Sequence, residues 1–347
     1  MEMRQELTYT VHHIQKILAF FSAMRAFQAV LVSRGHQVIY LTLDDPANRQ
    51  DLADNIFSLI EAGGHQAFAY LLPDEYRLDK QLIEICQTLQ ERYGVQSTSY
   101  DTEHFLISRS EFASWAKTKK SFLLETFYRQ MREKFNILLD PLSGEPVGGQ
   151  WNFDKENQKR FDRKEAVPPA LLFEHDVSAI LEMIMRAEIP MFGNIQGSRL
   201  EWPISREEAI AALNHFCENR LYRFGTFEDA MDTAYKILFH SRLSFALNIK
   251  LLSPLEVIEA VVDTWKKSED AISLPQVEGF VRQVLGWREY MRGIYWLKMP
   301  GFAEMNFFGH TRSLPSWYWN AKTLMNCLHH VIGQSLDLAW AHHIQRL

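Results

Sequence analysis

The feature that most narrows the fold is a single change of period along the chain. Ahead of about residue 140, short β-prone runs alternate with helical ones; beyond about residue 170 every periodic signal is helical. From residue 6 to about 33, Tyr9, His13, Ile17, Phe20, Phe21, Met24, Phe27 and Leu31 hold helical spacing, and Gly35 stands where a C-terminal cap belongs. Residues 38–43 then read as a buried strand, 51–62 as a helix closed by Gly63 and Gly64, 67–72 as a second strand, 78–93 as a helix ending at Gly94, and 95–100 as a third strand. Alternation of this kind predicts an α/β domain built on a doubly wound parallel sheet. Such a domain ordinarily begins with a strand, and none precedes the first helix, so the first strand is expected to be missing.

A charged helical segment, 110–135, closes this half. After it Pro141, Gly144, Pro146, Gly148 and Gly149 break regular structure, Lys155, Lys159, Arg160, Arg163 and Lys164 add basic charge, and Pro168 and Pro169 follow. We therefore divide the chain into an α/β domain over 1–140, a linker over 141–170 and an all-α domain over 171–347. The basic run is either a solvated linker or a contact for nucleic-acid phosphates. In the second domain Ser205 with Glu208, Thr226 with Asp229, Ser253 with Pro254 and Glu256, and Ser273 with Gln276 mark expected helix starts. From Trp317 the helical pattern runs to Leu347 without a stop signal, which predicts that residues are missing at this end as well.

The 347 residues suffice for two cores, and a net charge of -6 gives no global attraction to nucleic acid, so binding would need a local basic groove. No apolar run of bilayer-spanning length and no signal peptide are read, which predicts no membrane association and a cytoplasmic protein; no protein partner is evident. Cys86, Cys217 and Cys327 are widely spaced and form no CxxC, hence no complete metal site within the chain. Adjacent residues on a helix point about 100° apart, so the doublets His12-His13, His329-His330 and His342-His343 do not read as metal ligands.

Two stretches stand out chemically. Over 274–292, Val277, Val281, Val284, Leu285 and Met291 form an apolar face, while Arg282, Gln283, Arg288, Glu289 and Arg292 share the helix with Trp287, Tyr290, Tyr295 and Trp296. That second face suits a ligand with planar rings and phosphates, or equally a helix packed at a domain junction. His240-Ser241-Arg242-Leu243-Ser244 offers hydroxyls and an arginine at a helix boundary, either as caps or as a diphosphate holder.

The segments HSRLSFALN (240–248), WREY (287–290), WAHHIQRL (340–347), GGQWNFDKEN (148–157) and HHIQKILAFFSAMRAF (12–27) resemble the photolyase and cryptochrome family, and most closely its bacterial iron–sulfur branch that repairs (6-4) photoproducts. The resemblance implies a catalytic FAD in the helical domain. It places His240, Ser241, Leu243 and Ser244 in the turn that holds the flavin phosphates, with Arg282 and Arg288 among the cofactor-binding residues. It also implies Trp287 beside the lesion, His343 as proton donor with His342 next to it, Trp319 as an electron-transfer tryptophan, and Glu6 and Tyr9 at a lumazine antenna. Cys327 matches the first of four cysteines for a 4Fe-4S cluster whose other ligands this chain does not supply, so the cluster is not expected to assemble and Cys327 is expected to be a buried, unpaired thiol. Leu347 stands where other six-four enzymes have a second histidine. The function so implied is light-driven carbon–carbon lyase chemistry on UV-damaged DNA; the alternatives are a cryptochrome-like blue-light photosensor, or a cofactor-free remnant with a structural or binding role.

Overall fold

A computed structural model describes residues 1–346, so Leu347 lies outside the described residues. In the first half, the helices Leu52–Gly63 and Tyr76–Tyr93 pack on a parallel pair of strands, Ala67–Leu71 and Gln96–Tyr100, aligned Ala67 to Gln96 through Leu71 to Tyr100. Gly64 and Gly94 close the two helices at φ 59° and 66°, left-handed conformations that a side chain would strain. Ile56, Ile60, Leu82, Ile85, Leu89 and Val95 form the small core between them.

The α/β character holds, but the doubly wound sheet does not: among the described residues every sheet is two-stranded. The earliest of the three expected strands, 38–43, is recruited elsewhere. The carboxylate of Glu2 is fully buried, accepts from Arg25 Nε at 2.7 Å, Tyr40 Oη at 2.8 Å and the Leu43 amide at 3.0 Å, and the Glu2 amide donates to the Leu41 carbonyl at 2.8 Å. A buried charge must be met by hydrogen bonds, and here the would-be strand meets it instead of pairing along a sheet.

The expected first helix is broken into Arg4–Thr8 and Ile14–Ser33. Between them His12–His13 pairs in parallel with Met191–Phe192, and the His13 ring caps the longer helix by accepting the Gln15 amide. Contrary to expectation, Ile14–Ser33 is long and apolar enough by composition to cross a membrane. One face of it, with Ile14, Ile17, Leu18 and Phe21, forms a core with Val177, Ile180, Met183, Ile184, Leu200 and Trp202, residues from the far side of the expected linker.

The largest core is helical. Arg109–Lys117, Leu124–Phe135, Arg206–Asn219 and Pro254–Lys266 surround one long helix that runs as Leu274–Val281, a π-helical stretch Arg282–Arg288, and Glu289–Lys298. Capping boxes at Ser205 with Glu208 and Ser253 with Glu256 form as expected. Ser273 is the N-cap of Leu274–Val281 as expected, but Gln276 turns to Thr226 instead of completing a capping box, and Thr226 begins no helix: the Thr226 amide donates to Gln276 Oε1 at 2.9 Å, and Gln276 Nε2 donates to Thr226 Oγ1 at 3.0 Å. The final helical pattern is interrupted too. Asn326–Leu338 ends at Ala339, φ 52°, and only Trp317–Asn320 is helical before it. Trp340 and His342 thereby turn inward toward His240.

Candidate functional site

Three imidazoles meet where this last turn reaches the body of the protein. Ring centroids of His240 and His342 lie 4.2 Å apart, and those of His342 and His343 also 4.2 Å. His240 accepts the Leu238 amide at Nδ1, 3.4 Å away, and its Nε2 has no partner. His342 Nε2 donates to the Glu228 carbonyl at 2.6 Å while Nδ1 accepts the Ile344 amide at 3.3 Å, which defines the neutral Nε2–H tautomer. Burial, and then the neighbouring His342, holds His240 at a pKa of about 3; burial, and then His343, holds His342 at about 4. His343 is exposed and sets Nε2 at 2.9 Å from Asp229 Oδ1. Of the three rings it is the one that faces solvent with a carboxylate at hand.

The turn before these histidines borders a cavity of about 290 Å³. Arg199, Lys236 and Arg242 line it, with Glu201 and Asp337 between them and Trp202 and Trp340 as its aromatic walls. Ser241 Oγ accepts the Leu243 amide, Leu243 is buried, and Ser244 opens the short helix Ser244–Asn248. Arg242, at φ 55°, lays its guanidinium over Trp202 at 4.8 Å and keeps a buried Nε without a partner. The cations of this cavity, with the Ser241 hydroxyl and His240 Nε2 in an adjoining cleft that Arg242 also lines, fit the phosphate-bearing part of a dinucleotide such as FAD.

The arginines of the long helix lie elsewhere. Arg282 is buried against Asp154, with Glu278 Oε1 at 3.5 Å and Glu228 Oε1 at 3.8 Å. Burial raises Glu228 to a pKa of about 7 and raises Glu278 as well. Arg288 donates to the His104 carbonyl at 2.8 Å and stacks on Phe105 at 4.0 Å; Arg292 covers the same ring at 4.7 Å and donates to the Ile107 carbonyl at 2.8 Å. Burial first, and then Arg288, drive His104 down to about 3. Arg109 lies over Trp296 at 3.4 Å, and Tyr295 Oη accepts the Tyr76 amide at 2.7 Å. Of the two readings open for this face, the junction reading describes these residues; neither Arg282 nor Arg288 borders the cavity.

The remaining expected site residues are scattered. Trp287 is half exposed, edge-on to Tyr290. Trp319 is 61% exposed, beside Trp317 and Tyr318, which stack on each other at 4.2 Å. Glu6 and Tyr9 converge on Arg77, Glu6 through an ion pair of 2.7 Å and Tyr9 beneath the guanidinium at 4.3 Å. Cys327 is exposed rather than buried, because the helix that carries it lies on the surface. Among the described residues no three His, Cys, Asp or Glu converge as a metal site, so the residues present do not fit a 4Fe-4S cluster. Asp229 and Glu228 escaped sequence reasoning as site residues, since nothing in their spacing tells that they meet the histidine turn; Arg242 was read with the Ser241 turn as a possible diphosphate holder, and it does line the cavity.

Comparison with known proteins gives the family. A family profile described as deoxyribodipyrimidine photo-lyase-related protein matches residues 1–200. A (6-4) photolyase of Agrobacterium fabrum is 37% identical over 353 aligned residues, covering 100% of this chain and 67% of the relative. An uncharacterised protein of Acanthamoeba polyphaga mimivirus is 38% identical over 93 residues, 26% of this chain and 70% of that protein. The crystal structure of a bacterial class III photolyase from Agrobacterium tumefaciens superposes with a TM-score of 0.55 at 14% identity, over 85% of this chain and 56% of that one. This last likeness is one of fold, and the chain spans little more than half the length of that structure.

Proposed function

Because the chain belongs to the family of deoxyribodipyrimidine photo-lyase-related proteins, in the bacterial (6-4) branch of the photolyases and cryptochromes, we propose that it is a light-dependent flavoprotein that repairs pyrimidine (6-4) photoproducts in UV-damaged DNA. The observation that carries this reading is the placement of His343. It is an exposed imidazole whose Nε2 proton rests on Asp229, backed by a buried neutral ring, at the position the resemblance gives to the proton donor.

FAD is the proposed cofactor, with Ser241, Leu243, Ser244 and His240 at its phosphates, Arg242 beside them, and Lys236 and Arg199 as the further cations of the cavity that Arg242 lines. When bound, a reduced flavin supplies an electron that light makes available. The chain's own residues do the rest. Trp287 offers an indole to a base that has left the stack, and the exposed Lys155, Lys159 and Arg160 offer charge to the DNA backbone. His343 gives its proton to the lesion, and Asp229 keeps the ring oriented for the transfer. Arg282 and Arg288 we assign to holding the long helix in place rather than to the phosphates. Glu6, Tyr9 and the Arg77 between them form the proposed antenna contact for a lumazine, and Trp319 the proposed relay tryptophan. A cytoplasmic location belongs to the same reading.

The test is His343→Asn in protein loaded with FAD. Repair of an oligonucleotide carrying a (6-4) photoproduct is expected to fall at least about 100-fold, with DNA affinity and flavin content within about twofold of the parent. Retained repair removes His343 as donor. Purified parent protein that takes up no flavin overturns the reading as a whole.

A further inference from the structure

His342 and His343 are placed by a segment that is itself held from behind. Residues 224–229 cross the Leu274–Val281 helix where Gly225 and Gly279 face Asn157; an added Cβ would come within 2.6 Å of the Asn157 amide nitrogen at Gly225 and within 3.1 Å at Gly279. Thr226 is fixed by Gln276 on one side, and its carbonyl accepts the Lys159 amide at 2.8 Å on the other. Glu228 then buries its side chain, 3% exposed, while its carbonyl accepts from His342. Neither carboxylate oxygen of Glu228 has a hydrogen-bond partner. A polar group stranded in this way is costly to bury, and nothing in the repair chemistry proposed above uses it.

Resting on that reading, we propose that Glu228 is a positioning residue for the His342–His343 pair: its buried side chain, set among Arg282, Glu278 and Asp154, fixes where its own carbonyl and the Asp229 carboxylate receive the two imidazole protons. The leverage is covalent. The peptide unit from Glu228 to Asp229 is planar and rigid, it contains the carbonyl that His342 meets, and its two ends carry the Glu228 and Asp229 side chains. A displacement of that unit carries both acceptors with it.

The groups around Glu228 make the plane sensitive to its charge. From the long helix come Arg282 and Glu278, from the 150–157 loop Asp154 and Asn157, from its own segment Asp229, and from the last turn His342. An ionised Glu228 is pulled by Arg282 and pushed by three carboxylates; a neutral one feels little of either. Burial sets its pKa at about 7.

NMR of the full chain with nitrogen-15 imidazoles, without flavin or DNA, tests the proposal in Glu228→Ala and Glu228→Gln. In Glu228→Ala the Nε2 proton of His342 is expected to exchange with water at least about tenfold faster at pH 7, and the His342 midpoint to move up from about 4 toward the ordinary imidazole range. In Glu228→Gln, which keeps shape without charge, protection is expected to stay constant through neutral pH, whereas the parent loses protection above it. An Ala variant that melts like the parent and leaves His342 exchange and midpoint unchanged overturns the proposal. If the Ala variant does not fold, identical pH profiles of parent and Gln variant overturn it. The readout needs neither cofactor nor lesion, so a protein that shows the His342 response but no repair counts against the function proposed above and not against this positioning role.

Discussion

One helix buries arginine in two ways, and the contrast separates what supports a site from what supports a fold. At Arg282 a single guanidinium serves Asp154, Glu278 and Glu228, and both oxygens of Glu228 remain without hydrogen bonds. Arg288 and Arg292 have one carboxylate each, Glu289 at 3.4 Å and Asp74 at 3.5 Å, and are otherwise met by the His104 and Ile107 carbonyls and the Phe105 ring. The buried carboxyl there, Glu289, accepts the Leu106 amide at 2.9 Å. Both carboxyls are raised to about 7 by burial, yet one is tied to backbone and the other is free to change its surroundings. The second region is a clasp between the halves of the chain; the first is under-bonded and lies against the proposed site.

The sharpest way to break this contrast is to remove the shared cation. Arg282→Met is expected to destabilise the fold by about 3–5 kcal/mol, because it leaves two buried carboxyls, Glu228 and Glu278, without a counter-charge. Equilibrium urea unfolding measures it, and a loss under about 1 kcal/mol would show that the cluster is already neutral. Next comes pH. The folded state holds the Glu228 proton up to about 7 against an ordinary 4.5, so this contribution to stability is complete below pH 4.5 and is lost as pH rises toward 7. The full difference is on the order of 3 kcal/mol, and Glu228→Gln is expected to flatten that part of the profile. Unfolding midpoints of parent and variant between pH 4.5 and 8 check it.

Part of this was legible from residues alone. The capping boxes at Ser205 and Ser253, the glycine stops at 64 and 94, and the 67–71 and 96–100 strands depend on neighbours in sequence, and the structure forms them. The 38–43 run kept its β-prone pattern, but the partner that diverted it, Glu2, is recognisable only once the chain has folded. Thr226 and Gln276 carry cap signals that cancel each other across 50 residues. The family's histidine and HSRLS positions were visible as motifs; Asp229 and Glu228 were not, since a carboxylate's role depends on which ring it faces.

On the clasp side the expected effects are smaller. Arg288→Met keeps a stem to cover Phe105 but gives up the hydrogen bonds to His104 and the 3.4 Å contact to Glu289, whose carboxyl keeps the Leu106 amide, and is expected to cost about 1–2 kcal/mol. His104 should then titrate well above its present value of about 3, which imidazole NMR would detect. The smallest change in stability is expected from Trp319→Phe, at an exposed position away from both regions, within about 0.5 kcal/mol of the parent. Photoreduction of bound flavin should nevertheless slow, and unchanged kinetics would remove Trp319 from the proposed relay.

The π-helical stretch over Arg282–Arg288 sits between the two regions. An extra residue in one turn advances everything after it by about 100° relative to a regular helix. It acts as a phase shifter, letting one rod address the 226–229 segment at one end and the 104–107 loop at the other. Length within this stretch is therefore less forgiving than composition. Deleting one residue would restore regular winding and swing Arg292 off Phe105, whereas conservative replacements that keep the count preserve the aim of both ends.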